Sequence, residues 1–462
     1  MVEYNASMVR QLIEQERFDD VVDMLNSCKE FNSNFRTLKL FLTVRKNNTD
    51  IQEKIDDEIT SMLMKNKSYF VMLRYIDKYI KKKIGLREEM FNVLSAQIDA
   101  LNRQENYKEA KLLAANILKK IKGLDDREKN ILLNEIEIAD KKVVLKSLPR
   151  VLEVELTQNC NLKCKMCKSY SKTNGYEELN ESQISVLVDL FKYIETIIYI
   201  GGEPLIYKNI ETLFDVANKF HIKQEMITNG LLLTKEIIKK IVDYDIKVTL
   251  SIDSLNKDIY ENIRVGGNLN TLLQNIKAIY EYRSLKHSKR EFAINTVLSR
   301  WNIEYENNFI EIINFAKEYN FKTINIYCDN NEFDKDLQKK YIEKFNSQRE
   351  DLIKLAKKYD IKLNIYFGYL NENINKDEVD CKFCFFPWKK LPWSKMYIKF
   401  NGIVNIDRRC PKIGDFSENI TREHLINNIW NGQRMLFFRK KIINDDLKDI
   451  KEVCSSNDFL VK

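Results

Sequence analysis

Seven of the nine cysteines fall into two groups whose spacing suits metal chemistry. Cys160, Cys164 and Cys167 have the spacing C-x3-C-x2-C in the run TQNCNLKCKMC, directly after the β-branched run 151–156. Three thiolates on one short loop can hold three irons of a [4Fe–4S] cluster. The fourth iron is then open to a substrate, as a catalytic metal site requires. The same triplet also suits a zinc knuckle. The second group is the C-x2-C pair Cys381 and Cys384, followed by Cys410 and Cys454. Four thiolates are enough to close one site completely, whether iron–sulfur or zinc. Cys28, on a helical pattern, reads as a small buried hydrophobe.

The first triplet needs an element to present it. After Pro149, β-branched runs at 151–156, 196–200, 224–228, 247–252, 293–298 and 323–327 alternate with helical patterns at 182–194, 210–220, 235–244, 269–282 and 305–319. Six βα units in series imply an α/β fold with a parallel sheet and outer helices. Six are too few to close an eight-stranded barrel, so the expected form is a partial (β/α)6 barrel over 149–345, open on one side. Residues 1–148 lack proline, carry only Gly85 and Gly123, and repeat apolar residues at helical spacing. This predicts an all-helical N-terminal domain. QERFDDVVDML and QENYKEAKLLA align Phe18 with Tyr107, and Tyr69 offers a third such position, which suits either an irregular tetratricopeptide-like array or a helical bundle. Residues 346–462 read as a small α+β cysteine-rich domain. It has a strand-like run at 362–367, a hairpin of 395–400 and 403–406 turning at Asn401-Gly402, and a helix at 426–441.

Composition narrows the chemistry further. The 462 residues include 76 basic and 68 acidic ones, a net charge of +8 with the signs interspersed. That describes a solvated surface and not a nucleic-acid footprint. Only His221, His287 and His424 are available, which disfavours histidine-rich zinc hydrolases and Ser–His catalysis. No apolar run is long enough for a membrane span, and the N-terminal stretch lacks the apolar core of a signal peptide. The expected location is the cytoplasm, where thiols stay reduced and clustered cysteines mean metal or catalysis.

Further motifs stand at the strand ends. Gly201-Gly202-Glu203-Pro204 follows the second strand, Thr228-Asn229-Gly230 the third and Ser251-Ile252-Asp253 the fourth, and Arg264 precedes Gly266-Gly267. With the cysteine triplet, and in this order, the stretch from Val151 to Tyr327 resembles the radical S-adenosylmethionine (SAM) superfamily. The resemblance implies that Cys160, Cys164 and Cys167 hold a [4Fe–4S] cluster whose open iron chelates SAM. It implies that one electron cleaves the sulfonium bond and that a 5′-deoxyadenosyl radical takes a hydrogen atom from the substrate. Gly201 and Gly202 would let backbone approach the methionine moiety, and Glu203 would accept from its ammonium. Ser251 and Arg264 would hold its carboxylate, with Asn229 and Asn295 near the ribose. Met166 stands where an aromatic residue is common in the family, and would pack on adenine through its thioether. Five of the twelve glycines, Gly201, Gly202, Gly230, Gly266 and Gly267, sit in these loops.

The segments CFFPW, NGIVNIDRRC and IWNGQRMLFFR, with the last cysteine, resemble the SPASM or twitch extension of that superfamily. The full seven-cysteine pattern is absent. The resemblance therefore implies one auxiliary [4Fe–4S] cluster on Cys381, Cys384, Cys410 and Cys454, with a closed zinc site as the alternative. Cys328 ends the sixth strand beside Asp329, where a thiol can return a hydrogen atom and a carboxylate can take a proton, with core packing or capping as the alternative. The implied partners are a one-electron donor of flavodoxin or ferredoxin type and a peptide or protein substrate met by the helical domain. A small polar metabolite or activated sugar is the alternative substrate, and a non-catalytic metal-stabilised scaffold the alternative role.

Overall fold

The computed structural model describes residues 84–446, apart from 122, 168–176, 289, 330–334, 367–390, 409 and 445. Cys28, Cys381, Cys384, Cys454, Phe18 and Tyr69 lie outside the described residues. The chain divides into two compact units, Met1–Lys141 and Lys142–Lys462.

The described part of the first unit is helical: α1 (Ile84–Arg103), α2 (Tyr107–Lys120) and α3 (Asp126–Ala139). Leu94, Ile98 and Leu101 of α1, Leu113, Ala114 and Ile117 of α2, and Ile131, Leu132 and Ile138 of α3 are buried, at the spacing of one helix face. A reciprocal cap starts α3. The Asp125 carboxylate accepts from the Glu128 amide at 2.7 Å, and the Glu128 carboxylate accepts from the Asp125 amide at 2.9 Å.

The second unit is built on one ten-stranded sheet in the order β12-β11-β10-β1-β3-β4-β5-β7-β8-β9. The strands expected from the sequence are β1 (Val151–Glu155), β3 (Thr196–Ile200), β4 (Lys223–Thr228), β5 (Lys247–Ser251), β7 (Phe292–Leu298) and β8 (Phe321–Cys328), all parallel. Two more parallel strands extend them. β9 (Lys362–Tyr366) pairs with β8, and β10 (Lys395–Ile398) pairs with β1 in the register Val151↔Lys395 to Val154↔Ile398. β11 (Ile403–Asn405) and β12 (Lys412–Asp415) continue antiparallel from β10. Gly402, at φ +81°, supplies the left-handed turn residue between β10 and β11. The boundary expected after residue 345 is therefore no break in the sheet. Its order is linear, so it does not close on itself. A separate two-stranded ribbon joins β2 (Lys163–Cys164) to β6 (Arg264–Val265).

Side-chain alternation gives the sheet two unlike faces. Leu152, Val154, Tyr199, Met226, Val248, Leu250, Ile294, Ile324 and Ile326 are buried on one. Glu153, Glu155, Glu225, Thr249, Ser251, Asn295, Asn325 and Tyr397 alternate onto the other. A parallel sheet covered on both sides carries apolar runs, so the polar face marks the side that lines a cavity.

The segment before β1 is tied down by the C-terminal region. α12 (Gln433–Ile443) carries Arg439, which is fully buried. Its Nε donates to Pro392 O at 2.8 Å, and its Nη1 donates to Val143 O at 2.8 Å and to Asn431 Oδ1 at 3.1 Å. Trp430 Nε1 donates to Ser147 O at 2.9 Å, and Trp393 Nε1 to Lys142 O at 2.7 Å. These bonds explain why the compact unit begins at Lys142, ahead of the boundary expected after residue 148.

Candidate cofactor site at the strand ends

The cysteine loop leaves β1 and is stapled to two neighbours. Its Cys164 stands opposite Arg264 in the β2–β6 ribbon, and the Lys165 amide donates to Ile263 O at 2.9 Å. Gly202 N donates to Thr157 O and Glu203 N to Asn159 O, both at 2.8 Å. This contact is only available to glycine. A Cβ on Gly202 would lie 2.1 Å from Asn159 O, and one on Gly201, at φ +133°, would lie 2.6 Å from Thr157 O. The two glycines thus let the turn after β3 press against the cysteine loop. Both also line the cavity at the strand ends, the side from which a ligand would be approached. Gly202→Ala is expected to displace the cysteine loop and cut cluster content several-fold, read as iron and sulfide per chain against the wild type.

Glu203 is 1% exposed. Its carboxylate accepts from Thr228 Oγ1 at 2.6 Å, from the Asn229 amide at 2.8 Å and from the Leu205 amide at 3.3 Å. Burial pushes this carboxyl up to about 7, against the pull of those three donors. Asn229 also reaches the loop, donating from Nδ2 to Asn161 Oδ1 at 2.8 Å. Burial pushes the Cys160 thiol up to about 11. It raises Cys164 as well, where the neighbouring Arg264 opposes the shift.

These groups surround a cavity of about 560 Å³. All three cysteines of the loop line it, together with Met166, Gly201, Gly202, Glu203, Asn229, Ser251 and Arg264. Asn295 does not. It is the register neighbour of Ser251 and accepts from Asn325 Nδ2 at 2.9 Å, while Asn325 Oδ1 accepts from Asn364 Nδ2 at 2.8 Å. Gly230, Gly266 and Gly267 are also off the cavity wall. A Cβ on Gly230 would meet the Leu272 and Leu250 side chains at 2.7 and 2.9 Å, so it answers to packing.

Cys328 and Asp329 are not brought to the cavity. Cys328 shares the parity of Ile324 and Ile326 and lies on the helix-covered face, 4% exposed, with Gln338 Nε2 3.7 Å from its sulfur. Gln338 belongs to α10 (Lys335–Lys358), and it donates to Asp329 O at 2.7 Å. The expectation that this pair acts on substrate is corrected for this cavity: Cys328 turns to the helix-covered face, and Asp329, just past the strand end, is not among the lining residues. Cys410 is described but is no cavity residue. Its carbonyl accepts from Asn405 Nδ2 at 2.6 Å.

Further lining comes from residues that sequence reasoning did not assign to the site: Glu155, Tyr397, Lys399, Phe400, Asn401 and Arg408. The Tyr397 hydroxyl donates to Glu155, and Arg408 and Lys395 both pair with Glu153. The Asn-Gly turn announced the hairpin, but no local signal announced that it would lie against β1.

Residues 154–287 match the family described as the Radical SAM superfamily. Among curated relatives, the radical SAM cyclopropyl synthase TigE of Paramaledivibacter caminithermalis is 29% identical over 206 residues, 39% of this chain and 42% of that protein. A GTP 3′,8-cyclase of Clostridium botulinum is 28% identical over 178 residues, 36% of this chain and 53% of that protein. The aligned region thus spans about half the length of these relatives. Among solved structures, Streptococcus suis SuiB bound to S-adenosylmethionine is 17% identical, with a TM-score of 0.49 over 71% of this chain and 78% of that one. Residues 154–287 thus carry a radical SAM domain. The cofactors of that family are a [4Fe–4S] cluster and SAM. The donor set fits them, since three thiols share one cavity wall beside a buried guanidinium, and among the described residues no fourth thiol lines that cavity. No helix among the described residues is long and apolar enough to cross a membrane.

Proposed function

We propose that this protein cleaves SAM reductively at a cluster held by Cys160, Cys164 and Cys167, and abstracts a hydrogen atom from a peptide or protein substrate. The observation that carries the reading is one cavity lined by all three thiols together with Tyr397, Lys399 and Arg408. When bound, the cluster and SAM supply the electron transfer and the 5′-deoxyadenosyl radical that removes the hydrogen atom. The chain's own residues position and enclose. Glu203 already accepts three hydrogen bonds, and a carboxylate has about four lone-pair sites, which leaves one for the ammonium of SAM. Ser251 and Met166 both line the cavity; in this reading Ser251 would donate to the carboxylate and Met166 would pack on adenine. The β10–β11 hairpin closes the cavity and meets the substrate with polar and cationic groups. The peptide preference rests on the helices α1–α3 of the first unit, read as part of a helical-hairpin array of the kind that binds extended chains.

Cys410, together with Cys381, Cys384 and Cys454, is proposed to hold a second, fully ligated [4Fe–4S] cluster that exchanges electrons with an external flavodoxin- or ferredoxin-type donor. Anaerobic reconstitution followed by reduction with SAM present is expected to release 5′-deoxyadenosine. The rate is expected to rise when a cognate peptide is added. The reconstituted chain is expected to hold about eight irons, whereas about four irons with one zinc would reject the second cluster. No 5′-deoxyadenosine from protein with a full first cluster would favour the scaffold role.

A further inference from the structure

The cavity contains an arginine whose charge is already committed. Arg264 Nε lies 2.8 Å from Asp253 Oδ2, and the two side chains are 9% and 0% exposed. Asp253 is itself fixed. Its Oδ1 accepts from the Val297 amide at 2.8 Å, and its backbone carbonyl accepts from Asn302 Nδ2 and Asn308 Nδ2, both at 3.0 Å. On the other side, Arg264 Nη1 is 3.8 Å from Cys164 Sγ. The antiparallel pairing Cys164↔Arg264 holds this approach through the backbone. A guanidinium stays protonated at any accessible pH, so the sulfur faces a permanent cation.

We propose that Arg264 is the electrostatic partner of the Cys164 thiolate, with Asp253 as its counter-charge, and that the pair sets the reduction potential of the first cluster. The inference rests on the reading of Cys164 as a cluster ligand. It departs from the expectation that Arg264 clamps the carboxylate of SAM. Reduction adds one negative charge to the cluster. A cation beside a ligand sulfur stabilises that state and raises the potential, and an anion behind the cation tempers the effect. Burial keeps salt from screening either charge.

The test is the midpoint potential of the reconstituted full-length protein, measured without SAM by spectroelectrochemical titration. Arg264→Gln is expected to shift the potential to more negative values. Asp253→Asn is expected to shift it to more positive values, since the β2–β6 register still holds the guanidinium at the sulfur. A purely structural role would not give opposite signs. No shift in either variant, or shifts of one sign in both, overturns the proposal. If Arg264→Gln assembles no cluster, Asp253→Asn decides alone, and a zero or negative shift there is a rejection. SAM affinity of the oxidised holoprotein supplies the second arm. A tenfold loss in Arg264→Gln with an unchanged SAM-free potential would return the arginine to the SAM carboxylate. Cys164→Ala separates this from the reading beneath it. If that variant keeps a complete first cluster, the assignment of the thiols has failed rather than that of the charge pair.

Discussion

Cys164→Ala is expected to reduce SAM cleavage to background, a loss of at least about 10³-fold, equivalent to roughly 4 kcal/mol of barrier. The effect is large because the change removes two things together. One iron loses its thiolate, which exposes the cluster to oxidation and loss. Arg264 also loses the anion it faces across the β2–β6 ribbon and is left buried with Asp253 alone. The fold itself should survive, since the ribbon is held by backbone pairing. Circular dichroism of the apoprotein should match the wild type, while iron content and 5′-deoxyadenosine fall. Cys328→Ala is the internal control. Its sulfur sits under α10 against Gln338, away from the cavity, so SAM cleavage should stay within about twofold. Wild-type cleavage in Cys164→Ala would reject the site, and a collapse in Cys328→Ala would reject the face assignment.

Arg439→Leu carries the largest expected effect on stability. The side chain is wholly enclosed and serves Pro392 O, Val143 O and Asn431 Oδ1, with its guanidinium 4.6 Å from the Trp430 ring centroid. Replacing a buried ion pair by apolar residues can be neutral when both partners change together. Here two of the partners are backbone carbonyls, which no side-chain substitution removes. Each unsatisfied buried acceptor costs about 1–3 kcal/mol, so a total near 3–5 kcal/mol is expected. Urea unfolding of the apoprotein should show a midpoint lowered by that loss divided by the slope, with the slope itself unchanged. A loss below about 1 kcal/mol would mean that water replaces the guanidinium at these carbonyls.

Local spacing made the strand-end motifs legible. The cysteine triplet, Gly201-Gly202-Glu203, Asn229 and Ser251 all reach one cavity, since each sits at the same end of its own parallel strand, and Arg264 joins them through the β2–β6 ribbon. For Cys328, parity decides between a catalytic role and core packing. Ile324 and Ile326 are apolar while Asn325 and Tyr327 alternate with them, so Cys328 belongs with the buried set. Gly201 and Gly202 reach the cavity wall, while their fit against the cysteine loop was not legible, because a clash with the chain's own backbone is a tertiary fact that composition does not carry. The pairing of β10 with β1 was illegible for the same kind of reason. Val151 and Lys395 are neighbours in space, yet nothing in either segment names the other. The Asp253–Arg264 pair lay between these cases, both residues being visible in motifs and their contact not.

The position of β10 has a consequence for how the chain is made. β1 delivers the cysteine loop, and it is an interior strand only because residues 395–398 flank it. On the ribosome, β1 emerges long before that partner and must wait with one side of its hydrogen-bonding ladder bare. A naked parallel strand beside three exposed thiols invites both wrong pairing and premature oxidation. Clipping the chain before residue 395 would make this transient hazard permanent. Such a fragment should collect as inclusion bodies instead of yielding a smaller active protein, even though every motif of the cofactor site would still be encoded in it.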